Sequence, residues 1–182
     1  MAATVVVNEW TSAGTITDKT SGEIRFKNAN NATVDLNNPM VVPGSGQDYS
    51  FEKWLRMQIT DAGGFTQISN LRVYSDGANG LGTGISLFYA LGGTFMTPVE
   101  PDNTPATPQS AAAGSPQEDM ADFFGLTSGS PGDLDAINTG PFTDGSPAEH
   151  IGDFLVLVMK VASTASQGIT PSETVTFSWD EI

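Results

Sequence analysis

The chain contains no cysteine. No disulfide framework and no thiolate metal site can form, so stability has to come from a packed core or from assembly. Histidine is nearly missing as well: His150 stands alone, which excludes a multi-histidine metal set. Basic residues are scarce, seven Lys and Arg against 21 Asp and Glu, for a net charge of -14. Their distribution tells more than their number. Between Arg72 and Lys160 there is no basic residue, while eleven carboxylates fall in that span. A surface charged this way repels the phosphates of nucleic acid and of anionic lipid, so neither is an expected partner. Long hydrophobic runs are also missing. The longest, Phe154 to Ala162, is interrupted by Lys160 and falls well short of the ~20 residues a bilayer-crossing helix needs. The opening Met1-Ala2-Ala3-Thr4-Val5-Val6-Val7 has no basic leader and meets an acid at Glu9. That argues against a secretory signal and for a protein made in a cytoplasm.

What the chain does have is glycine, threonine, serine and asparagine, with 20 Gly in 182 residues. This composition favours sheet edges and turns over helices. Thr4 to Trp10 is a β-branched run. Glu23-Ile24-Arg25-Phe26-Lys27 alternates strictly, which places Ile24 and Phe26 on one face of a half-buried strand. Val34 to Leu36 reads as a brief strand ended by Asn37-Asn38-Pro39. Ser50 to Thr60 is the clearest long strand, with Leu55, Met57 and Ile59 on one face and Trp54, Arg56 and Gln58 on the other. Phe65 to Tyr74 resumes the same period after Gly63-Gly64, as in a hairpin or a neighbouring strand. Ile85 to Tyr89 and Thr94 to Val99 follow. Phe154 to Met159 is apolar on both parities, as in a strand covered on both faces. Thr174 to Trp179 alternates with Val175, Phe177 and Trp179 inward. The expected fold class is therefore all-β: one domain over 1–182, a β-sandwich or jelly-roll-like body.

Residues 98–150 are expected to form a long acidic insertion in that body. Its first part, Pro98 to Gln117, carries Pro98, Pro101, Pro105, Pro108 and Pro116 with Val99 as its only large apolar side chain. Such a segment buries too little surface to offset its ordering entropy, and proline biases it toward extended polyproline geometry. A helix start follows. Ser115 suits the N-cap, Pro116 the first helical position and Glu118 the capping box, with Met120, Phe123 and Phe124 on the apolar side up to Gly125. The arm residues expected to touch a partner are Val99, Pro101, Pro105, Pro108, Met120, Phe123 and Phe124.

Signals for catalysis are weak beside their structural readings. Acid pairs such as Asp133/Asp135 and Glu118/Asp119 lack the spacing of an EF-hand, so solvated loop acids are the default and loop calcium is left open. Gly77 to Gly84 is glycine-rich but lacks a Gly-Lys-Ser/Thr ending, and Ile85 opens a strand where a phosphate loop would open a helix. No catalytic residue, cofactor or metal is expected. Trp54, opposite Leu55 and Met57, is the candidate exposed aromatic contact.

Three stretches carry a resemblance: Ser50-Phe51-Glu52-Lys53-Trp54-Leu55-Arg56, Ile68-Ser69-Asn70-Leu71-Arg72-Val73-Tyr74-Ser75-Asp76-Gly77 and Gly84-Ile85-Ser86-Leu87-Phe88-Tyr89. With the closing Ser178-Trp179-Asp180-Glu181-Ile182, they resemble small β-sandwich structural proteins of tailed bacteriophages, over about half of the chain. The resemblance implies a non-enzymatic virion protein assembled in the host cytoplasm, foremost a capsid decoration or cement protein stabilising the outside of a head. Its partners would be the major capsid protein or other virion subunits, in a homo-oligomer with which a trimer is compatible. A tail, neck or fibre component and a carbohydrate-binding module are the alternatives.

Overall fold

The computed structural model describes residues 2–61, 63–64, 66–100, 120–143 and 149–182. Among them the chain is all-β, with ten strands and one 3-10 turn. The β-branched N-terminal run becomes β1 (Thr4–Ser12), which folds back through β2 (Thr15–Asp18). There follow β3 (Gln47–Tyr49), β4 (Lys53–Asp61), β5 (Ile68–Tyr74), β6 (Ile85–Gly92), β7 (Ala121–Asp122), β8 (Gly132–Asp133), β9 (Glu149–Ala162) and β10 (Thr176–Glu181). Seven strands form one sheet in the order β2-β1-β4-β9-β6-β7, with β3 on the far end of β9. A second sheet has the order β10-β5-β8. All pairings are antiparallel.

The 14-residue β9 is the spine, and its two-sided apolar sequence is used on both sides: every residue from Ile151 to Met159 is buried. Its odd-numbered residues Leu155, Leu157 and Met159 join Leu55, Met57, Ile59 and Leu87 on the inner face of the large sheet. The small sheet closes over this face with Ile68, Leu71 and Val73, helped by half-buried Val175, Phe177 and Trp179. The even-numbered residues Phe154, Val156 and Val158 pack on the outer face with Trp54, Tyr49 and Met120. Phe95 and Met96 roof them. Each large side chain so buried contributes roughly 1.5–3 kcal/mol, and both packed faces draw on that term.

Trp54 is therefore a core residue, fully buried, and not an exposed contact. Its ring meets Phe154 and Phe95 edge-on with centroids 5.5 Å away in each case, and its Nε1 donates to the Glu52 carboxylate at 3.0 Å. A roof made of irregular chain leaves no period in the sequence, so the outer face of β4 reads as if it met water. The same roof accounts for 94–99, which lies across that face as irregular chain without forming a strand.

Residues 120–143 rejoin the body. β7 pairs with β6, and β8 pairs with β5. Met120, Phe123 and Phe124 are buried in the two clusters, so they anchor the chain and are not partner contacts of an arm. Within the described part of the expected helix, 120–125, there is a single 3-10 turn, Phe123–Gly125, whose N-cap is Asp122 accepting from the Phe124 amide at 3.1 Å. Val99 is half-buried; its carbonyl accepts from the Glu52 amide at 3.0 Å, which ties it to the body. Pro101, Pro105, Pro108 and the expected caps Ser115, Pro116 and Glu118 lie outside the described residues. β5 does not form a hairpin with β4, since the two belong to different sheets. Residues 34–36 form no strand, and Val34 and Leu36 are exposed.

Candidate functional site

Among the described residues the small sheet is three strands wide, and it leaves part of the large sheet's inner face uncovered. The result is a half-open groove of about 750 Å³, a volume in the range of ligand and peptide sites. Its floor is apolar and comes from three strands: Val7 of β1, Leu157, Met159 and Val161 of β9, and Ile85 and Leu87 of β6. One wall is Phe177 of β10 with the chain leading into it, 166–175. The opposite wall is the 22–27 segment with residues 35–42 behind it. Leu36, Val41 and Ile169 stand at the mouth, each at least 60% exposed.

The 22–27 wall contains the alternating stretch expected as a strand. Ile24 and Phe26 do point to the core, as the alternation predicts. Among the described residues the stretch nevertheless belongs to no sheet, and its one ladder contact there is the isolated bridge of Lys27 to Pro39. Polarity alternation sets which side chains turn inward, but a ladder also needs a neighbouring strand, and here the neighbouring place is the groove.

The wall is held by a buried charge cluster at its base. Glu9, Lys53 and Lys27 are each no more than 2% exposed, and Lys19 is 8% exposed. The Lys53 ammonium donates to Glu9 Oε1 at 2.8 Å and to the Asn31 carbonyl at 2.7 Å. Lys19 lies 3.5 Å from Glu9 Oε2 and donates to the carbonyls of Ala32 at 2.6 Å and Glu23 at 3.0 Å. Lys27 donates to Asp35 and, at 3.2 Å, to the Asn31 amide oxygen. Burial pushes the Lys53 ammonium down from its ordinary value, and the Glu9 carboxylate works against that push. The hydrogen bond from Lys27 holds the Asp35 carboxyl below the usual range. Lys19 and Lys53 thus fasten the 19–35 loop to β1 and β4, and Lys27 braces the loop internally, which leaves all three engaged within the fold. Strand parity read jointly contains a signal for this cluster. Glu9 continues the face of Val5 and Val7, and Lys53 that of Leu55 and Met57, which puts opposite charges on one inner face.

The titratable residues weighed for chemistry lie elsewhere. Asp133 and Asp135 sit on and beside β8, at the edge of the small sheet. Asp133 accepts from the Asp135 amide at 3.2 Å and Asp135 from the Asn70 amide at 3.1 Å, so both shape backbone. Burial, then the hydrogen bond with Asp133, raises the Asp135 carboxyl. His150 packs edge-on against Trp10 with centroids 4.8 Å apart. Burial and the nearby Arg56 guanidinium hold its imidazole below the ordinary value. Gly77 to Gly84 runs as turns into β6, with no helix after it. Among the described residues, no three His, Asp or Glu side chains are grouped as metal ligands, and no helix is long and apolar enough to cross a membrane.

Comparison of the chain with protein-family models, with curated proteins and with solved structures returns no match.

Proposed function

We propose that this chain is a non-enzymatic structural subunit of a bacteriophage particle, foremost a capsid decoration protein. The observation that carries the reading is where the polar groups go. The buried cluster at Glu9, Lys19, Lys27 and Lys53, and the carboxylates of Asp133, Asp135 and Asp153, bind backbone amides, carbonyls and each other. The free surface keeps large apolar residues instead: Leu36, Val41 and Ile169 at the groove and Ile137 and Ile182 away from it. Exposed apolar side chains gathered at one groove, Leu36, Val41 and Ile169, suit a surface that touches a neighbour. The phage resemblance of the β4, β5 and β6 sequences supplies the setting. A carbohydrate-binding module is less well supported, because Trp54, its best stacking platform, is in the core.

Copy number in purified particles from the source tests this reading. Quantitative mass spectrometry is expected to find hundreds of copies per particle; a handful would favour a neck or tail position, and none would overturn the virion reading. Replacing residues 101–119 by a short Gly-Ser linker tests the arm. Because Glu100 and Met120 stay in place, the body should keep its melting temperature while particle attachment weakens. Unchanged attachment would remove the arm from the proposal.

A further inference from the structure

We infer that the groove beside β10 is a strand-acceptor site: it takes an extended segment of a partner protein as a fourth strand of the small sheet. Three observations meet there. The first is an open strand edge. Among the described residues β10 has a ladder partner, β5, on one side only. Phe177 lines the groove and no β5 residue does, so the side of β10 turned to the groove is the one without a partner. The second is the opposite wall. Among the described residues, the backbone N–H groups of Ile24, Arg25 and Phe26 have no hydrogen-bond partner, although the stretch is alternating with its apolar residues turned inward. An extended chain laid between the walls would pair with backbone on both of its edges, the arrangement by which peptides add to open sheets. The third is the floor. Leu87, Leu157, Met159 and Val161 offer apolar contact to every second side chain of such a strand.

The same features describe the occupant. It alternates large apolar residues with polar ones and has no central proline, since proline would remove a ladder donor. Residues 101–119 of this chain do not qualify: they hold four prolines and no aromatic or branched apolar residue. The net charge of the molecule points to basic flanks. The walls themselves are balanced, Glu23, Asp35 and Glu173 against Lys19, Arg25 and Lys27, but the chain as a whole stands at -14. A second copy, itself at -14, meets repulsion there, whereas a strand flanked by Lys or Arg is attracted. The inference does not depend on the virion reading, since any basic-flanked partner strand would satisfy it.

The probe is the blocked nonapeptide Lys-Thr-Val-Thr-Ile-Thr-Val-Thr-Lys, titrated into the intact 15N-labelled chain. Two analogues are compared, one N-methylated at the three apolar residues and one at the threonines between them. The expected result is saturable binding that shifts the amides of 24–26 and of Thr176–Glu181 together. Each analogue loses about one or two backbone hydrogen bonds, so each should bind roughly tenfold more weakly. An Arg25→Pro variant should weaken the parent peptide similarly while Arg25→Ala does not; if the proline variant fails to fold, the analogues carry the test. No binding at millimolar peptide would overturn the inference. So would equal binding of the N-methylated analogues, the mark of an apolar pocket that ignores backbone. Concentration-dependent dimerisation shifting the same amides without peptide would overturn the choice of partner in favour of a second copy.

Discussion

At the scale of single residues the decisive group is Glu9. It is 1% exposed and faces two ammonium groups, Lys53 at 2.8 Å and Lys19 at 3.5 Å. Burying charges costs more than their attraction returns unless each is fully partnered, so such clusters are more fragile to truncation than to replacement. Glu9→Gln is expected to cost about 3–5 kcal/mol, because Lys53 is left charged and dry. Adding Lys53→Met should recover most of that loss, which a double-mutant cycle in urea denaturation would read. A double variant as unstable as Glu9→Gln alone would mean the carboxylate acts through packing and not through the lysine. His150 gives a second residue-scale prediction. Its folded value lies below its ordinary one, from burial and then Arg56, so the unfolded chain binds its proton more readily. Stability due to the neutral imidazole is complete above about pH 6.5 and is lost as pH falls from there toward the folded value. The urea midpoint should drop between pH 7.5 and pH 5.5, and His150→Phe, which keeps a ring against Trp10, should flatten the drop. An unchanged slope would assign the drop to other groups.

At the scale of elements, β9 shows how one irregular position organises its surroundings. Its pairing with β4 shifts register between Leu55 and Met57, where β9 uses four residues against two. The bulge is made by Gly152, at φ 68. A Cβ there would stand 2.5 Å from the Leu134 carbonyl oxygen and 2.5 Å from Leu71 Cδ1. The kink lets the Asp153 carboxylate reach across and accept from the amides of Ile137 at 2.9 Å and Asn138 at 2.7 Å, while Arg56 Nε donates to the Gly152 carbonyl at 2.9 Å. One bulge thus holds the 134–138 turn to the spine. Gly152→Ala should lose about 3 kcal/mol, or roughly 6–12 °C in Tm, from left-handed backbone plus a clash with a carbonyl that cannot step aside. A loss under 1 kcal/mol would show that the bulge is free to re-form elsewhere. The strand identities of 4–12, 53–61, 85–92 and 154–159 are legible because period-two patterning and two-sided apolarity are direct consequences of burial. The return of 120–143 is not legible, since β7 and β8 are two residues each and carry no period. The groove is legible only in part. Glu23 to Lys27 has the pattern of a strand, yet whether a strand finds a partner is decided by topology and not by its own residues.

At the scale of the whole molecule the charge imbalance acts on folding as well as on association. Seven bases face 21 acids, and Lys19, Lys27 and Lys53 are buried in ion pairs within the fold. The outer surface is therefore left with unbalanced negative charge, and its repulsion grows as the chain compacts. Salt weakens that repulsion, because the screening length shortens from about 30 Å at 0.01 M to about 8 Å at 0.15 M. The buried cluster is shielded from ions and changes little over the same range. The two terms can thus be separated by one experiment. Raising sodium chloride from 10 to 150 mM should increase Tm by a few degrees, with the gain coming from the surface. Glu9→Gln, whose deficit is internal, should show the same gain from a lower starting point. Should Tm fall with salt instead, exposed ion pairs outweigh surface repulsion. The acidic surface would then be stabilising in itself, and a basic partner would relieve no repulsion by binding to it.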